Sequence, residues 1–223
     1  MRKSIIAATV AGIFAFPALA LANPINSGFE TGDLTGWTSN GHSTVVSSFS
    51  AGSHGTVLPT EGKYFSVTTG HSPSEASYLV SSPFTVETGD KFSFGWFFLA
   101  GDYMPYNVYG GFVVTMLVNN TPILSDILST VKAVDDFGFS GWQTEELTMK
   151  VGGNVSFSVY VAEATDSLFN SHFGLDNFQI IKDGEVQVPI VGTLPLVALG
   201  ALSLFGFAAR RKGEGFGDGS IVA

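Results

Sequence analysis

Residues 91–98, KFSFGWFF, decide the fold class of this chain. Large apolar side chains occupy every second position: Phe92, Phe94, Trp96 and Phe98. Side chains at this spacing point to one face of an extended strand. The stretch therefore predicts a β-strand with one face in a hydrophobic core.

The same two-residue period returns along most of the chain. In residues 154–162, NVSFSVYVA, apolar residues alternate with serine and tyrosine. Further strands are predicted at residues 44–48, 64–68, 77–80, 84–86, 112–118, 126–134, 142–149 and 173–181. Many short strands separated by turn residues predict two packed antiparallel sheets, that is, an all-β sandwich of the jelly-roll type. A closed barrel is the alternative that periodicity does not separate from it.

The N-terminal residues predict export. Arg2 and Lys3 precede a long apolar run, and the run ends at the small-residue pattern Ala20-Leu21-Ala22. This is the pattern of a secretory signal peptide, so residues 1–22 are predicted to be removed and the folded domain to span residues 23–187.

A second apolar run, residues 188–209, predicts a membrane anchor. It contains no charged residue and is followed at once by Arg210, Arg211 and Lys212. As a helix rising ~1.5 Å per residue it would reach ~33 Å, which is enough to cross a hydrocarbon core. Basic residues stay on the cytoplasmic side, so residues 210–223 are predicted to form a cytoplasmic tail and the domain to face outward.

The charge of the chain excludes one class of partner. The formal net charge is −9, and residues 23–187 contain five lysines and no arginine. Nucleic acid binding requires the opposite sign of charge, so it is excluded as a function, whereas an acidic surface suits divalent cations. The chain has no cysteine, which also excludes disulfides and thiol catalysis.

No catalytic motif stands out, and the chain is predicted not to be an enzyme. The sequence lacks the nucleophile elbow, the zinc-protease motif and the phosphate-binding loop. Its histidines lie in polar segments and are predicted to be solvated: His42, His54, His71 and His172. A surface hydrolase built from a pair of carboxylates stays open, because such a pair is defined by distance in space.

Two acids far apart in the sequence are candidate ligands of a structural calcium ion. Glu30 lies in residues 28–37, GFETGDLTGW, which are predicted to form the first strand and corner; Asp176 lies in the predicted last strand. First and last strands of a sandwich often lie side by side, and calcium takes carboxylate and carbonyl oxygens. The alternative is a plain turn around Gly32 and an exposed Asp176.

Aromatic residues offer the candidate ligand surface. The segment 102–109, DYMPYNVY, places three tyrosines in a polar, turn-rich stretch, and exposed tyrosines are good recognition residues. Tyr103, Tyr106 and Asn107 are the candidate ligand-binding residues, with packing of a long loop as the alternative. Trp96 is predicted to be core, and Trp37 and Trp142 are predicted to fill the rim of the core rather than to stack on sugars.

The C-terminal arrangement resembles the PEP-CTERM sorting signal of bacteria that make exopolysaccharide. The frame Val188-Pro189-x-x-Gly192 precedes the apolar run, and the basic cluster ends it; Ile190 and Val191 stand where the family usually has Glu and Pro. The resemblance implies processing by an exosortase and either a membrane-anchored domain or release to the cell surface or matrix.

The body resembles the β-sandwich domains that precede such signals and jelly-roll carbohydrate-binding modules. The matching stretches are GFETGDLTGW, GKYFSVTTG at 62–70, SYLVSSPFTV at 77–86, FSFGWFFLAGDYMPYN at 92–107, GWQT at 141–144 and FGLDNF at 173–178. By resemblance, Glu30 and Asp176 correspond to structural calcium ligands, and Val108 replaces a frequent acid. The resemblance implies a non-enzymatic surface protein tied to the exopolysaccharide matrix, or alternatively a lectin-like module that binds polysaccharide.

Overall fold

The computed structural model describes residues 26–71, 75–163 and 168–187. The predicted signal peptide, the anchor at 188–209, the tail at 210–223 and the sorting frame at Val188, Pro189 and Gly192 lie outside these residues. Within the described ranges, no helix is both long and apolar enough to span a membrane.

The described residues fold almost entirely as strands. In chain order, the elements are β1 (Trp37–Ser39), β2 (Ser43–Val46), β3 (Phe49–Ser50), a 3₁₀ turn (Gly52–His54), β4 (Thr56–Val57), β5 (Phe65–Thr69), β6 (Ser77–Ser81), β7 (Phe84–Val86), β8 (Lys91–Leu99), β9 (Tyr109–Met116), β10 (Thr121–Thr130), α1 (Val131–Val134), β11 (Gln143–Thr148), β12 (Gly153–Ala162), β13 (His172–Lys182) and β14 (Glu185–Gln187).

Two six-stranded antiparallel sheets face each other. The front sheet has the order β1-β6-β12-β9-β10, with β7 also paired to β12. The back sheet has the order β11-β8-β13-β5-β2, with β14 also paired to β13. The chain passes repeatedly from one sheet to the other, as it does in a jelly roll. The predicted antiparallel β-sandwich is confirmed.

The main core lies between the two sheets. The strand that decided the fold class, β8, directs Phe92, Phe94, Trp96 and Phe98 into it. The front sheet contributes the alternating apolar residues of β12, Val155, Phe157, Val159 and Val161, which are fully buried. Ring pairs such as Phe94 and Phe157, with centroids 4.9 Å apart, join the two sheets. The prediction that Trp96 belongs to the core is therefore confirmed.

A second, smaller hydrophobic cluster covers the outer face of the back sheet. Phe65, Val67, Phe97 and Leu99 point away from the main core and are buried beneath Ala51 and Val57 of the β3–β4 hairpin. Trp142 packs on the same cluster, 4.9 Å from the ring of Phe97. Both faces of the back sheet are therefore buried, which explains why the alternation in β5 is less clean than elsewhere.

Several element boundaries differ from the sequence prediction, and two of the differences have a clear structural cause. Residues 131–134 were predicted to continue a strand, but they form the short helix α1, because Thr130 caps it by accepting the N–H of Ala133 at 3.1 Å. Thr121 and Pro122 lie between the strands predicted at 112–118 and 126–134 but belong to β10. Proline is tolerated there because β10 is the edge strand of the front sheet.

Candidate functional site

The segment that contains Glu30 folds as a series of turns, not as the predicted first strand. Phe29, Gly32 and Gly36 have positive φ values, and β1 begins only at Trp37. Phe29 is fully buried, with its ring 5.2 Å from that of Trp37. The Trp37 indole N–H donates to the carbonyl of Asn26 at 3.1 Å. Trp37 is therefore a buried core residue that holds the turns in place.

The Glu30 carboxylate binds the backbone of the turn before β5. Its oxygens accept the N–H of Lys63 at 3.0 and 3.1 Å and the N–H of Tyr64 at 3.1 Å. The preceding residue, Gly62, has φ +64°, and a Cβ atom built there would overlap the carboxylate. Glycine at position 62 therefore leaves the space that the carboxylate occupies.

Asp176 is fully buried, so the alternative of an exposed acid is wrong. One carboxylate oxygen accepts the N–H and the hydroxyl of Thr60, both at 2.7 Å, and the N–H of Glu61 at 3.3 Å. The other accepts the N–H of Asn177 at 2.7 Å. Burial raises the pKa of Asp176, and the hydrogen bonds from Thr60, Glu61 and Asn177 offset part of that rise.

Both acids line one cavity of about 260 Å³, which we call the acid cavity. Its wall also includes Ser27, Glu61, Asn177 and Gln179. Both carboxylates bind the same short segment, residues 60–64, and the N–H of Phe178 donates directly to the carbonyl of Ser27 at 3.2 Å. The first and last parts of the described domain therefore lie side by side, as the sequence predicted.

The acid cavity is lined by oxygen-bearing side chains, which are the ligand type that a hard cation such as calcium takes. Within the described ranges, no group of three histidine or acidic side chains is placed to hold a metal. However, Oε2 of Glu30 and Oδ1 of Asp176 each accept a single hydrogen bond, so each retains a lone pair. Asn177 and Gln179 also line the cavity, and the Asn177 Oδ1 accepts the side-chain N–H of Gln179. Calcium would therefore be held by two carboxylates with amide, carbonyl or water oxygens.

The predicted tyrosine segment forms the loop between β8 and β9. It contains a cis peptide bond between Met104 and Pro105. The N–H of Met104 donates to the carboxylate of Asp136 at 2.8 Å, and the N–H of Phe137 donates to the carbonyl of Asp102 at 2.9 Å. This loop is therefore tied to the loop that follows α1.

Four aromatic rings from three loops form a continuous surface, which we call the aromatic cluster: Tyr103, Tyr106, Phe137 and Phe169. Tyr103 meets Tyr106 edge-on at 5.2 Å, Phe137 lies 5.7 Å from Tyr103, and Phe169 lies 5.9 Å from Phe137. Phe137 is 47% exposed and Phe169 is 51% exposed. Such exposed rings offer flat apolar surface to a ligand.

Only part of this cluster was predicted. Tyr103 and Tyr106 lie within it, whereas the side-chain oxygen of Asn107 accepts the N–H of Lys132 at 3.1 Å and so positions α1. Val108, which replaces the expected acid, is fully buried in the core, where a charged group would be costly. Phe137 and Phe169 were not predicted; the available signal was a phenylalanine beside acidic or polar residues in each of two segments, residues 135–140 and 166–171.

The histidines were predicted to be solvated, and this is wrong for His172. It lies in β13, where its Nδ1 is 3.0 Å from the hydroxyl of Thr69 and its ring is 4.9 Å from that of Phe49. Burial lowers the pKa of His172 to about 4, because it disfavours the charged imidazolium. His42 and His71 stack on each other with ring centroids 4.2 Å apart.

Trp142 also has a structural role. Its indole N–H donates to the carbonyl of Leu58 at 2.8 Å while its ring packs edge-on against Phe65 at 5.5 Å. It therefore packs against the cluster outside the back sheet, at the rim position that the sequence predicted.

No protein-family model matches the sequence, and no curated protein matches it. Solved structures do resemble the fold. An arabinose-bound α-L-arabinofuranosidase, MgGH51, is 11% identical with a TM-score of 0.50; the match covers 74% of this chain and 27% of that protein. The module TmCBM61, solved with β-1,4-galactotriose, is 17% identical with a TM-score of 0.45, over 71% of this chain and 97% of that one.

A third structure, a family 16 carbohydrate-binding module, is 16% identical with a TM-score of 0.41, over 71% of this chain and 98% of that one. At such low identities the likeness concerns the fold alone. It agrees with the β-sandwich described above.

Proposed function

We propose that residues 26–187 form a non-enzymatic carbohydrate-binding domain of an exported surface protein, and that the aromatic cluster contacts the glycan. This was the alternative expectation from the sequence, and it accounts for more of the structure than a general role in the matrix does. The observation that carries it is the continuous surface of four rings contributed by three loops that are hydrogen-bonded to each other.

The chemistry of the cluster suits a sugar ring. A pyranose has apolar C–H faces that pack on aromatic rings, and hydroxyl groups at its edge that need hydrogen-bond partners. The two tyrosines supply hydroxyl groups beside their rings, and the neighbouring Asp136 and Asp102 fix the loop backbone. A loop whose backbone is held by such hydrogen bonds loses less entropy when it binds a ligand.

Binding to a panel of soluble polysaccharides tests this proposal. The double variant Tyr103→Ala/Tyr106→Ala is expected to bind at least about tenfold more weakly than the wild type, because two recognition rings are lost. Val118→Ala is the matched control: this residue is 88% exposed and lies in the turn at the far end of β9. Unchanged binding by the double variant would contradict the assignment, and turnover of a glycan would contradict the non-enzymatic role.

We propose in addition that the acid cavity binds a structural calcium ion through Glu30 and Asp176. A cation there would neutralise a buried carboxylate and tie residues 27–30, 60–64 and 176–179 together. This role supports the fold and does not involve the aromatic cluster.

We propose, finally, that the chain is exported and sorted as its resemblance to PEP-CTERM proteins implies. The signal peptide at residues 1–22 would direct export. The frame Val188, Pro189 and Gly192, the apolar run at 188–209 and the basic residues Arg210, Arg211 and Lys212 would hold the chain in the membrane until an exosortase acts.

A further inference from the structure

The turn that carries Phe137 is strained, and we call residues 135–138 the strained turn. Asp135 has φ +68° and ψ 173°, a combination that only glycine adopts without strain. Phe137 has φ +54°, in the left-handed region, where a bulky side chain is uncommon. The N–H of Gly138 donates to the carbonyl of Asp135 at 3.0 Å, so Phe137 occupies the third position of a tight turn, at which a positive φ favours glycine.

Burial does not offset this strain. Asp135 and Phe137 are both exposed, and ring contacts on two sides still leave about half of the Phe137 side chain open to solvent. A large apolar residue that is both exposed and strained stabilises the fold neither through its side chain nor through its backbone. Strain of this kind persists only where the surrounding structure fixes the chain, and it is concentrated at functional sites.

The chain is fixed on each side of the strained turn. Before the turn, α1 begins at Val131, whose side chain is fully buried. At the end of the turn, the carbonyl of Gly138 accepts the N–H of Ala100 at 2.9 Å. A Cβ atom built at Gly138 would overlap the carbonyl oxygen of Val134, so the turn fits tightly against the end of α1. The positions of its two ends therefore impose the strained conformation.

Three hydrogen bonds from other segments hold the strained turn. The N–H of Met104 donates to the carboxylate of Asp136 at 2.8 Å. The N–H of Phe137 donates to the carbonyl of Asp102 at 2.9 Å. The third bond comes from a different part of the molecule, because Nε2 of His54 lies 2.9 Å from the carbonyl oxygen of Phe137. A carbonyl oxygen only accepts, so His54 is the donor.

His54 connects the aromatic cluster to the far sheet. It ends the 3₁₀ turn Gly52–His54, between the two strands of the hairpin that covers the outer face of the back sheet. It is 83 positions from Phe137 in the sequence. Its ring also lies 5.8 Å from that of Phe139, which places the imidazole against the end of the strained turn.

We infer that His54 is a positioning residue for the aromatic cluster: together with the loop after β8, it holds Phe137 in the strained conformation that presents its ring at the centre of that cluster. A ring that is fixed before binding loses less entropy when the ligand binds. This inference rests on the proposed carbohydrate-binding function. It adds a residue that lies outside the contact surface and a reason why the strain is retained.

His54 variants of the full chain test the positioning role through affinity and melting temperature together. The probe is whichever of soluble β-glucan, galactan and xylan the wild type binds most tightly. His54→Ala is expected to weaken binding about three- to tenfold, the effect of one hydrogen bond, with little change in melting temperature because His54 is exposed. His54→Gln can still donate an N–H and is expected to restore part of the affinity. Ser53→Ala, in the same exposed turn, is the matched control.

Asp135→Gly tests the strain itself, because it keeps all four rings of the aromatic cluster. The melting temperature is expected to rise, since glycine adopts this backbone conformation without strain. The affinity for the same polysaccharide is expected to fall, since a turn that is free to relax no longer fixes Phe137. A turn with a purely structural role would show the first change without the second.

The outcomes separate this inference from the proposed function. If the wild type binds none of the three polysaccharides, both fail. If Tyr103→Ala/Tyr106→Ala weakens binding while His54→Ala and Asp135→Gly bind like the wild type, only the positioning role is overturned. A His54→Ala variant that melts well below the wild type and is not rescued by glutamine would also overturn it, since His54 would then act on the fold as a whole. An Asp135→Gly variant that melts below the wild type or fails to fold would contradict the strain.

Discussion

The Glu30 carboxylate occupies the space that a side chain at position 62 would need, so Glu30 and Gly62 depend on each other. Gly62→Ala is expected to destabilise the domain by about 1–3 kcal/mol, because alanine disfavours the positive φ and its methyl group would displace the Glu30 carboxylate. In a Glu30→Ala background the same change is expected to cost less, since the clash is removed while the backbone strain stays. Urea denaturation of the two single variants and the double variant measures this coupling. Additive effects would contradict the proposed contact.

The calcium proposal makes a separate prediction for the same residue. If the acid cavity binds calcium, chelation with EDTA lowers the melting temperature, and Glu30→Ala removes most of that response. At free calcium about a hundred times the Kd, binding would add about 2.7 kcal/mol to the free energy of unfolding. Asp33→Ala is a control, because Asp33 lies on the same turn but its carboxylate bonds only Thr31 and Thr35. An EDTA scan that leaves the wild-type melting temperature unchanged would exclude the site.

His172 is expected to make the stability of the domain depend on pH. Its pKa is about 4 in the folded state and near 6.5 when exposed, so between these values the unfolded chain binds the proton more strongly. Folding with a neutral His172 has its full stability above pH 6.5. The free energy of unfolding then falls, by at most about 3 kcal/mol, as the pH falls towards 4. Melting temperatures across this range should show a flatter profile for His172→Gln than for the wild type. A wild-type profile as flat as that of His172→Gln would contradict this prediction.

At the scale of the strands, Phe97 tests whether the cluster outside the back sheet is a true core. Phe97→Ala is expected to cost about 3–5 kcal/mol, comparable to a phenylalanine between the sheets, because the ring is fully buried. Ile127→Ala in β10, the edge strand of the front sheet, should lower the free energy of unfolding by less than about 1 kcal/mol, since Ile127 is 51% exposed. Chemical denaturation compares the two, and equal small losses would show that the β3–β4 hairpin covers Phe97 only loosely.

This cluster also marks the limit of what strand periodicity predicts. Alternation in β8 and β12 correctly identified these strands and the face of each that enters the main core, because their alternate apolar side chains all pack between the two sheets. It assigned Phe97 to the opposite face but could not show that a two-residue strand such as β3 would cover it. Short strands carry too few residues for a period, and their burial depends on contacts distant in sequence.

The candidate site was predictable to a similar degree. The proximity of Glu30 and Asp176 followed from the order of strands in a sandwich, and the tyrosines of one loop followed from their local density. Phe137 and Phe169 join Tyr103 only because three loops meet at one end of the sheets. The pairing of Tyr78 with Tyr160 depends on strand register, since the two residues are 82 positions apart in the sequence.

For the whole molecule, the proposed sorting route predicts the termini of the mature protein. Mass spectrometry of the protein recovered from the cell surface should find Asn23 at the N-terminus, because cleavage is expected after Ala22. If an exosortase acts, the basic residues Arg210, Arg211 and Lys212 should be missing from the recovered chain. Replacing these three residues by serine should then leave unprocessed protein in the membrane. Recovery of the intact residues 1–223 from the surface would contradict both cleavages.

The outer face of the back sheet is buried under the β3–β4 hairpin, whereas that of the front sheet is not, and this difference has a consequence for sequence variation. In the back sheet, both odd and even positions of β5 and β8 are buried, so a saturation mutagenesis library selected for folding should reject polar substitutions at consecutive positions such as Phe97 and Phe98. In β12 of the front sheet, tolerance should instead alternate, with Ser158 permissive and Val159 restrictive. Outward-facing residues can therefore diverge on the front sheet while the back sheet keeps the fold.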